Sequence, residues 1–198
     1  RYFLTGDAQY RQAFEHLWWS MLKGDRHNNG GFTAGECAVG DPYHPGQIET
    51  CCTVAWTAMT VDMLRMTGNS IVADELELTL FNSGLGLMSP SGHWVTYDTP
   101  MEGRRTSSTI SLAFQQFTGS SELSCCSVNG PRVLGLLGDW ALMHGMEELM
   151  LNYYGPGIMR CTLPSGTRCQ LTQVTDYPRE AEVELYVTPD AAEEFTLA

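Results

Sequence analysis

The chain has little basic charge, no long hydrophobic run and no even set of cysteines. Its 198 residues include 11 Lys and Arg against 23 Asp and Glu, which gives a formal net charge of −12. Nucleic-acid-binding domains and proteins that bind anionic lipid surfaces need the opposite balance. A transmembrane helix needs about 18 or more consecutive apolar residues, and no such run is present. The composition therefore indicates a neutral partner rather than nucleic acid or a membrane.

The N-terminal residues show none of the charged-then-apolar pattern that is typical of a secretion signal. The 7 cysteines are an odd number, which argues against a complete disulfide framework. Reduced thiols are typical of cytosolic proteins, where cysteines more often bind metal or act in catalysis. We therefore expect a cytoplasmic protein with thiols available for metal binding.

Hydrophobic spacing predicts helices in the first part of the chain and strands in the last part. A helix is predicted over residues 7–23 with Asp7 as its N-cap. Further helices are predicted at 53–67, at 71–81 and near Pro131. Strands are predicted at 92–100, 149–153, 158–163, 168–174 and 183–187. The pattern predicts a mainly α domain over residues 1–147 and an incomplete β region over residues 148–198.

Two adjacent cysteines, Cys125 and Cys126, are the most informative local feature. Neighbouring Cα atoms lie about 3.8 Å apart, whereas a disulfide favours about 5.5–6 Å, so a bond between the two is unfavourable. Glu49 and Cys51 supply a carboxylate and a third thiol earlier in the chain. Three sulfurs and one oxygen form a complete tetrahedral donor set, and the sequence therefore predicts a Zn²⁺ site.

Two alternatives to this site stay open at the level of sequence. Buried cysteines are also common as small hydrophobic residues that bind nothing. The spacing does not choose between Cys51 and Cys52 as the ligand.

Three further residues have side chains suited to a sugar site. Glu36 follows a glycine-rich stretch, and glycines allow a backbone to approach a ligand closely, so its carboxyl group is a candidate proton donor and acceptor. The alternative is an ordinary solvated glutamate. Trp94 and Tyr97 have flat amphipathic rings that can bind a sugar or pack in the core.

The chain resembles the glycoside hydrolases of family 127, typified by bacterial β-L-arabinofuranosidases. The resemblance covers about residues 1–160, and its motifs occur in the family's order at Gly30–Glu36, Glu49–Cys51, Phe81–Gly86, Ser91–Pro100 and Cys125–Arg132. It implies the second half of an (α/α)6 barrel followed by the start of a β-sandwich domain. It also implies that the first half of the barrel is a partner outside this chain.

The resemblance further implies a retaining glycosidase that releases L-arabinofuranose or a related sugar from plant-type glycans. Zn²⁺ would be held by Glu49, Cys51, Cys125 and Cys126. Cys125 would be the nucleophile, Glu36 the general acid/base, and Tyr97 a sugar contact. The alternative is a carbohydrate-binding or scaffold domain without activity, in which the zinc is only structural.

Overall fold

The chain folds into two compact units. The computed structural model describes residues 1–106 and 124–198. The first unit comprises Arg1–Leu136 and the second comprises Leu137–Ala198. The division that we predicted after residue 147 concerns the family's domains and stays a prediction. Among the described residues, no helix has the length and apolar character needed to cross a membrane.

The prediction of a mainly α fold is wrong. Helices make up 38% of the structure and strands 21%, and the strands form three sheets. The chain is a small mixed α/β structure, which overturns the expected second half of an (α/α)6 barrel with the start of a β-sandwich.

The helix predicted near Pro131 is divided at Leu136 into two short helices, and two glycines, Gly135 and Gly138, lie within that segment. In place of one helix near Pro131, the chain forms α5 (Cys125–Asn129), α6 (Arg132–Gly135) and, in the second unit, α7 (Leu137–Trp140). Gly130 and Pro131 separate α5 from α6. Glycine is unfavourable inside a helix, and proline lacks the N–H that a helix interior needs.

The longer helices lie close to the predicted ranges. The first unit contains α1 (Tyr2–Thr5), α2 (Ala8–Gly24), α3 (Thr50–Thr67), α4 (Ser70–Leu78) and a π-helix (Thr79–Gly84). The Asp7 side chain caps α2 by accepting a hydrogen bond from the Gln9 N–H at 2.9 Å. Gly68 ends α3 with a φ of 59°, a left-handed conformation that glycine adopts without strain.

Three stacked aromatic rings form the centre of the first unit. Trp56 on α3 lies between Trp18 on α2 and Phe32, with ring centroids 5.3 Å apart on both sides. The Trp18 indole N–H donates to the Thr60 hydroxyl at 3.0 Å, so its polar atom is satisfied in the interior. The stack fixes α2 and the segment around Phe32 against α3.

A small sheet connects the start of α3 to the segment that carries Tyr97. Strand β1 (Ile48–Glu49) pairs antiparallel with β2 (Asp98–Thr99). The strand that we predicted over 92–100 is therefore limited to two residues. Thr50 adds a second connection, because its hydroxyl donates to the Thr96 carbonyl at 2.8 Å and its N–H donates to the Tyr97 carbonyl.

The second unit consists mainly of two three-stranded sheets. Strands β3 (Leu142–His144), β4 (Glu148–Leu151) and β8 (Thr196–Leu197) form one sheet, and β5 (Gly157–Thr162), β6 (Arg168–Thr175) and β7 (Val183–Pro189) form the other. Leu149, Leu163, Cys169 and Leu171 form its buried core. The alternation of apolar and polar residues predicted four of these strands because one face of each packs on that core.

Thr53 offers a test of how the glycine-rich loop is held. Its buried hydroxyl accepts the Phe32 N–H at 3.1 Å and lies 3.0 Å from the Phe32 carbonyl. Thr53→Val keeps the shape but leaves a buried N–H unpaired, so we expect a loss of about 1–3 kcal/mol in unfolding free energy. Urea denaturation measures this loss.

The matched control for this variant is Thr57→Val, one turn further along α3. Thr57 is equally buried, and its hydroxyl donates to the Thr53 carbonyl within the same helix. We expect a clearly smaller loss for the control. Equal losses in the two variants would mean that the hydroxyl of Thr53 does not hold the loop.

Candidate active site

Glu49 joins two distant parts of the chain through one buried carboxylate. It ends β1 and caps α3, with Oε2 accepting the Cys52 N–H at 2.5 Å. Its Oε1 accepts a hydrogen bond from the Cys126 thiol at 2.7 Å. The residue is 2% exposed, so both contacts are made away from bulk water. The carboxylate therefore fixes the start of α3 against α5.

The three thiols gather around this carboxylate. The Sγ atoms of Cys51 and Cys126 are 3.4 Å apart, and those of Cys125 and Cys126 are 3.9 Å apart. One ligand atom from each of Glu49, Cys51, Cys125 and Cys126 lies within 4.8 Å of the others. Bonds of about 2.3 Å from a tetrahedral metal would place sulfurs about 3.8 Å apart, so this donor set could hold a metal ion.

The two adjacent cysteines have different environments because they occupy successive positions on α5. Cys126 is 0% exposed, whereas Cys125 is exposed. Ser124 sets the start of the helix through a capping box with Ser127, which fixes the direction of both cysteine side chains. The Cys126 thiol is thus buried in the interior, and the Cys125 thiol faces the solvent.

Cys52, which the spacing left as an alternative ligand, lies outside the group of four. Its backbone N–H donates to the Glu49 carboxylate at 2.5 Å, and its thiol is not among the four donor atoms that lie within 4.8 Å of one another. Burial, with the Glu49 carboxylate adding to it, raises the pKa of the Cys52 thiol to about 12. Within the described residues, the structure thus groups Cys51 with the other donors.

Asn129 is a contact that the sequence analysis did not assign. Its Nδ2 donates to the Cys51 Sγ at 3.2 Å, and its Oδ1 accepts from Arg132 Nη1 at 3.2 Å. A signal was present, since residues four apart on a helix share a face and Asn129 follows Cys125 by four positions. The contact reaches Cys51 on α3, however, and no spacing within α5 indicates that partner.

Electrostatics keep the buried thiols protonated when no metal is bound. Burial raises the pKa of Cys51 to about 11, and the hydrogen bond from Asn129 opposes this shift. Burial and the hydrogen bond to the Glu49 carboxylate also raise the pKa of Cys126. A metal ion must therefore displace protons from these two thiols, which couples its binding to pH.

Glu36 and Tyr97 form a second pair in the first unit. Glu36 follows Gly35 in a tight turn and has a φ of 67°, a strained conformation for a residue with a side chain. The Tyr97 hydroxyl donates a hydrogen bond to Glu36 Oε1. This bond raises the pKa of Tyr97, and burial, the Glu36 charge and the nearby Cys125 and Cys126 add to the shift.

The structure does not join Trp94 to this pair. Trp94 is half-buried, and within the described part of the chain its recorded hydrogen bonds are backbone contacts with Ser89. Of the residues predicted for the site, the structure thus brings Glu49, Cys51, Cys125 and Cys126 into one cluster and pairs Glu36 with Tyr97. It gives no contact that assigns Trp94 to either group.

A sequence profile described as the beta-L-arabinofuranosidase GH127 catalytic domain matches residues 1–139. This match assigns the chain to the class of glycoside hydrolase catalytic domains. It belongs to glycoside hydrolase family 127, since the match covers well over half of its residues. A search of curated proteins finds no match.

Solved structures agree with this fold. A GH127 beta-L-arabinofuranosidase from Geobacillus stearothermophilus T6 is 24% identical with a TM-score of 0.76, over 97% of this chain and 32% of that one. A GH127 beta-arabinofuranosidase is 22% identical with a TM-score of 0.78, over 98% and 30%. A third structure, a glycoside hydrolase, is 23% identical with a TM-score of 0.75, over 98% and 36%. The chain spans about a third of each.

The raised pKa of Cys51 gives a pH dependence for the metal-free protein. Below about pH 9 the Cys51 thiol is protonated in both the folded and the unfolded chain, so it adds no pH dependence to the free energy of unfolding. Between about pH 9 and 11 the unfolded chain ionises first, so we expect the free energy of unfolding to fall as pH rises. Denaturant titrations with a chelator present measure this slope.

The comparison for this experiment is Cys51→Ala, which removes the titrating group. We expect its unfolding free energy to depend less on pH over the same interval. If the unfolding free energies of the two proteins depended on pH with the same slope, the pKa of Cys51 would not be raised by burial as the structure indicates.

Proposed function

We propose that the protein is a retaining glycoside hydrolase that uses a cysteine nucleophile and a glutamate acid/base. The observation that carries the proposal is the pairing of an exposed thiol, Cys125, with a fully buried one, Cys126. A purely structural site encloses its ligands, whereas a catalytic site leaves one position open. The family membership supports the reaction class.

We further propose that the metal is Zn²⁺. Sulfur and carboxylate ligands in a small tetrahedral space suit zinc better than Mg²⁺ or Ca²⁺, which prefer oxygen ligands in larger numbers. Glu49, Cys51, Cys125 and Cys126 would hold it. When bound, zinc keeps the thiols deprotonated at neutral pH.

In the first proposed step, the Cys125 sulfur forms a bond to the anomeric carbon as the bond to the leaving oxygen breaks. Glu36 gives that oxygen a proton. In the second step, Glu36 takes a proton from water, whose oxygen bonds to the anomeric carbon as the carbon–sulfur bond breaks. Each step inverts the carbon, so the configuration is retained. A thiolate replaces the second carboxylate that most retaining glycosidases use.

The hydrogen bond between Tyr97 and Glu36 supports an assigned role for each residue. The Tyr97 hydroxyl would orient the Glu36 carboxylate, and the amphipathic ring of Tyr97 would contact the sugar. With a divalent ion bound, the cluster's three thiolates and one carboxylate would carry more negative charge than the ion carries positive charge. This excess of negative charge would stabilise positive charge that develops on the sugar.

The proposed substrate is an L-arabinofuranoside or a related sugar of a plant-type glycan. We propose that chain segments outside these residues complete the sugar site, because the solved relatives are about three times as long as this chain. Trp94 stays a candidate sugar contact. The exposure of Cys125 favours catalysis over a carbohydrate-binding domain with a closed, structural zinc site.

Metal content provides the first test. Elemental analysis of the purified protein is expected to give one zinc per chain. Cys126→Ala should weaken zinc binding at least about tenfold, since it removes a ligand. Cys161→Ala, a half-buried cysteine of the second unit, is the matched control and should bind zinc normally. Equal zinc content in both variants would reject the assigned ligand set.

Activity of the full-length protein on an aryl arabinofuranoside and an alkyl arabinofuranoside provides the second test. Cys125→Ser should abolish turnover of both substrates. Glu36→Gln should lower turnover of the alkyl substrate by about 10²–10⁴-fold, and less for the aryl substrate, whose leaving group needs little protonation. Cys161→Ser serves as the control. Retained activity in Cys125→Ser would reject this nucleophile.

A further inference from the structure

The three sulfurs of the cluster differ in the hydrogen bonds that they donate or accept. Cys126 contacts Glu49 at 2.7 Å, and Cys51 accepts the Asn129 amide N–H at 3.2 Å. Within the described part of the chain, Cys125 has no nitrogen or oxygen contact with its sulfur and lies 3.9 Å from that of Cys126. Cys51 is half-buried, so burial alone does not remove its sulfur from solvent as it does that of Cys126.

The orientation of the Asn129 amide is fixed by its second partner. Arg132 Nη1 is 3.2 Å from Asn129 Oδ1, and an arginine side chain can only donate hydrogen bonds. The amide oxygen must therefore face Arg132, which directs the NH₂ group to Cys51. Reversing the amide would set two donors against each other and leave the sulfur next to an oxygen.

A hydrogen bond to a thiolate withdraws electron density from the sulfur. This lowers its power as a nucleophile and stabilises it as a fixed ligand, as outer contacts do for other metal ligands. Asn129 gives such a bond to Cys51. Cys125, on the same helix as Asn129, receives none within the described residues.

We propose that Asn129, oriented by Arg132, is a positioning residue that fixes Cys51 as a metal ligand and so leaves Cys125 as the reactive thiolate. The inference rests on the proposed metal-dependent function and adds a residue that distinguishes the thiols. Asn129 does not contact the sugar in this scheme. It acts through the sulfur of Cys51 alone.

The experiment uses the full-length protein loaded with zinc or with Co²⁺. Asn129→Leu keeps a similar volume without the N–H, and Asn129→Ala removes both. We expect both variants to bind zinc about 10–100-fold more weakly in competition with a chromogenic chelator. If Asn129 only filled space, Asn129→Leu would bind like the unchanged protein and only Asn129→Ala would be weak.

Two readouts report on the sulfur itself. The sulfur-to-cobalt charge-transfer band should move to longer wavelength in both variants, because Cys51 regains electron density. Limited alkylation of the zinc-loaded protein, mapped by mass spectrometry, should modify Cys125 first in the unchanged protein and also Cys51 in the variants. If Asn129 acted only through packing and not through the N–H···S bond, neither the cobalt band nor the alkylation pattern would change in this way.

The matched control is Asn82→Ala, which removes an exposed amide that donates to the Leu78 carbonyl within its own helical segment. It should leave zinc affinity and the cobalt band unchanged. Arg132→Gln should shift both readouts in the same direction as Asn129→Leu, by a smaller amount.

The outcomes distinguish a failure of the inference about Asn129 from a failure of the proposed metal site. Normal zinc affinity and an unmoved cobalt band in both Asn129 variants overturn the inference about Asn129 while leaving the metal site in place. Failure of the unchanged protein to bind either metal overturns the inference together with the proposed metal site. Unfolding midpoints in chelator that match the unchanged protein confirm that the variants are folded.

Discussion

The arrangement of the first unit depends on the two hydrogen bonds of the Glu49 carboxylate. One oxygen caps α3 and the other accepts the Cys126 thiol, so a single buried group holds two segments that are far apart in the sequence. A buried carboxylate is unfavourable unless its oxygens are satisfied, and the contact with the Cys126 thiol requires α5 to be in place against the start of α3. The thiol cluster is therefore a product of the tertiary fold rather than of either segment alone.

The difference between the two adjacent cysteines follows from this constraint. Because the Cys126 thiol is held inward by Glu49, the preceding side chain on the helix must point in another direction, and Cys125 is left exposed. The capped start of α5 at Ser124 prevents the helix from rotating to exchange them. The same geometry that gathers the thiols thus leaves one of them accessible, and Cys125 and Cys126 lie close enough to Tyr97 to add to the rise in its pKa.

Sequence reasoning located elements whose signals are local. The range of α2, the capping by Asp7 and the end of α3 at Gly68 depend on apolar periodicity and on terminal residues within a few positions. The mainly α fold was wrong because the helix predicted near Pro131 is divided into two short helices and the strands form three sheets. The strand predicted over 92–100 was too long, since only the residues opposite β1 find a hydrogen-bonding partner.

The types and spacing of the residues were enough to name Glu49, Cys51, Cys125 and Cys126 as candidate ligands, with Cys52 as an alternative to Cys51. Tertiary structure alone decided that Cys51 rather than Cys52 joins them, that Cys125 is exposed, and that Asn129 contacts Cys51. The physical reason is that these distinctions depend on the rotation of α3 against α5. That rotation is set by contacts between residues far apart in the chain, which no local pattern encodes.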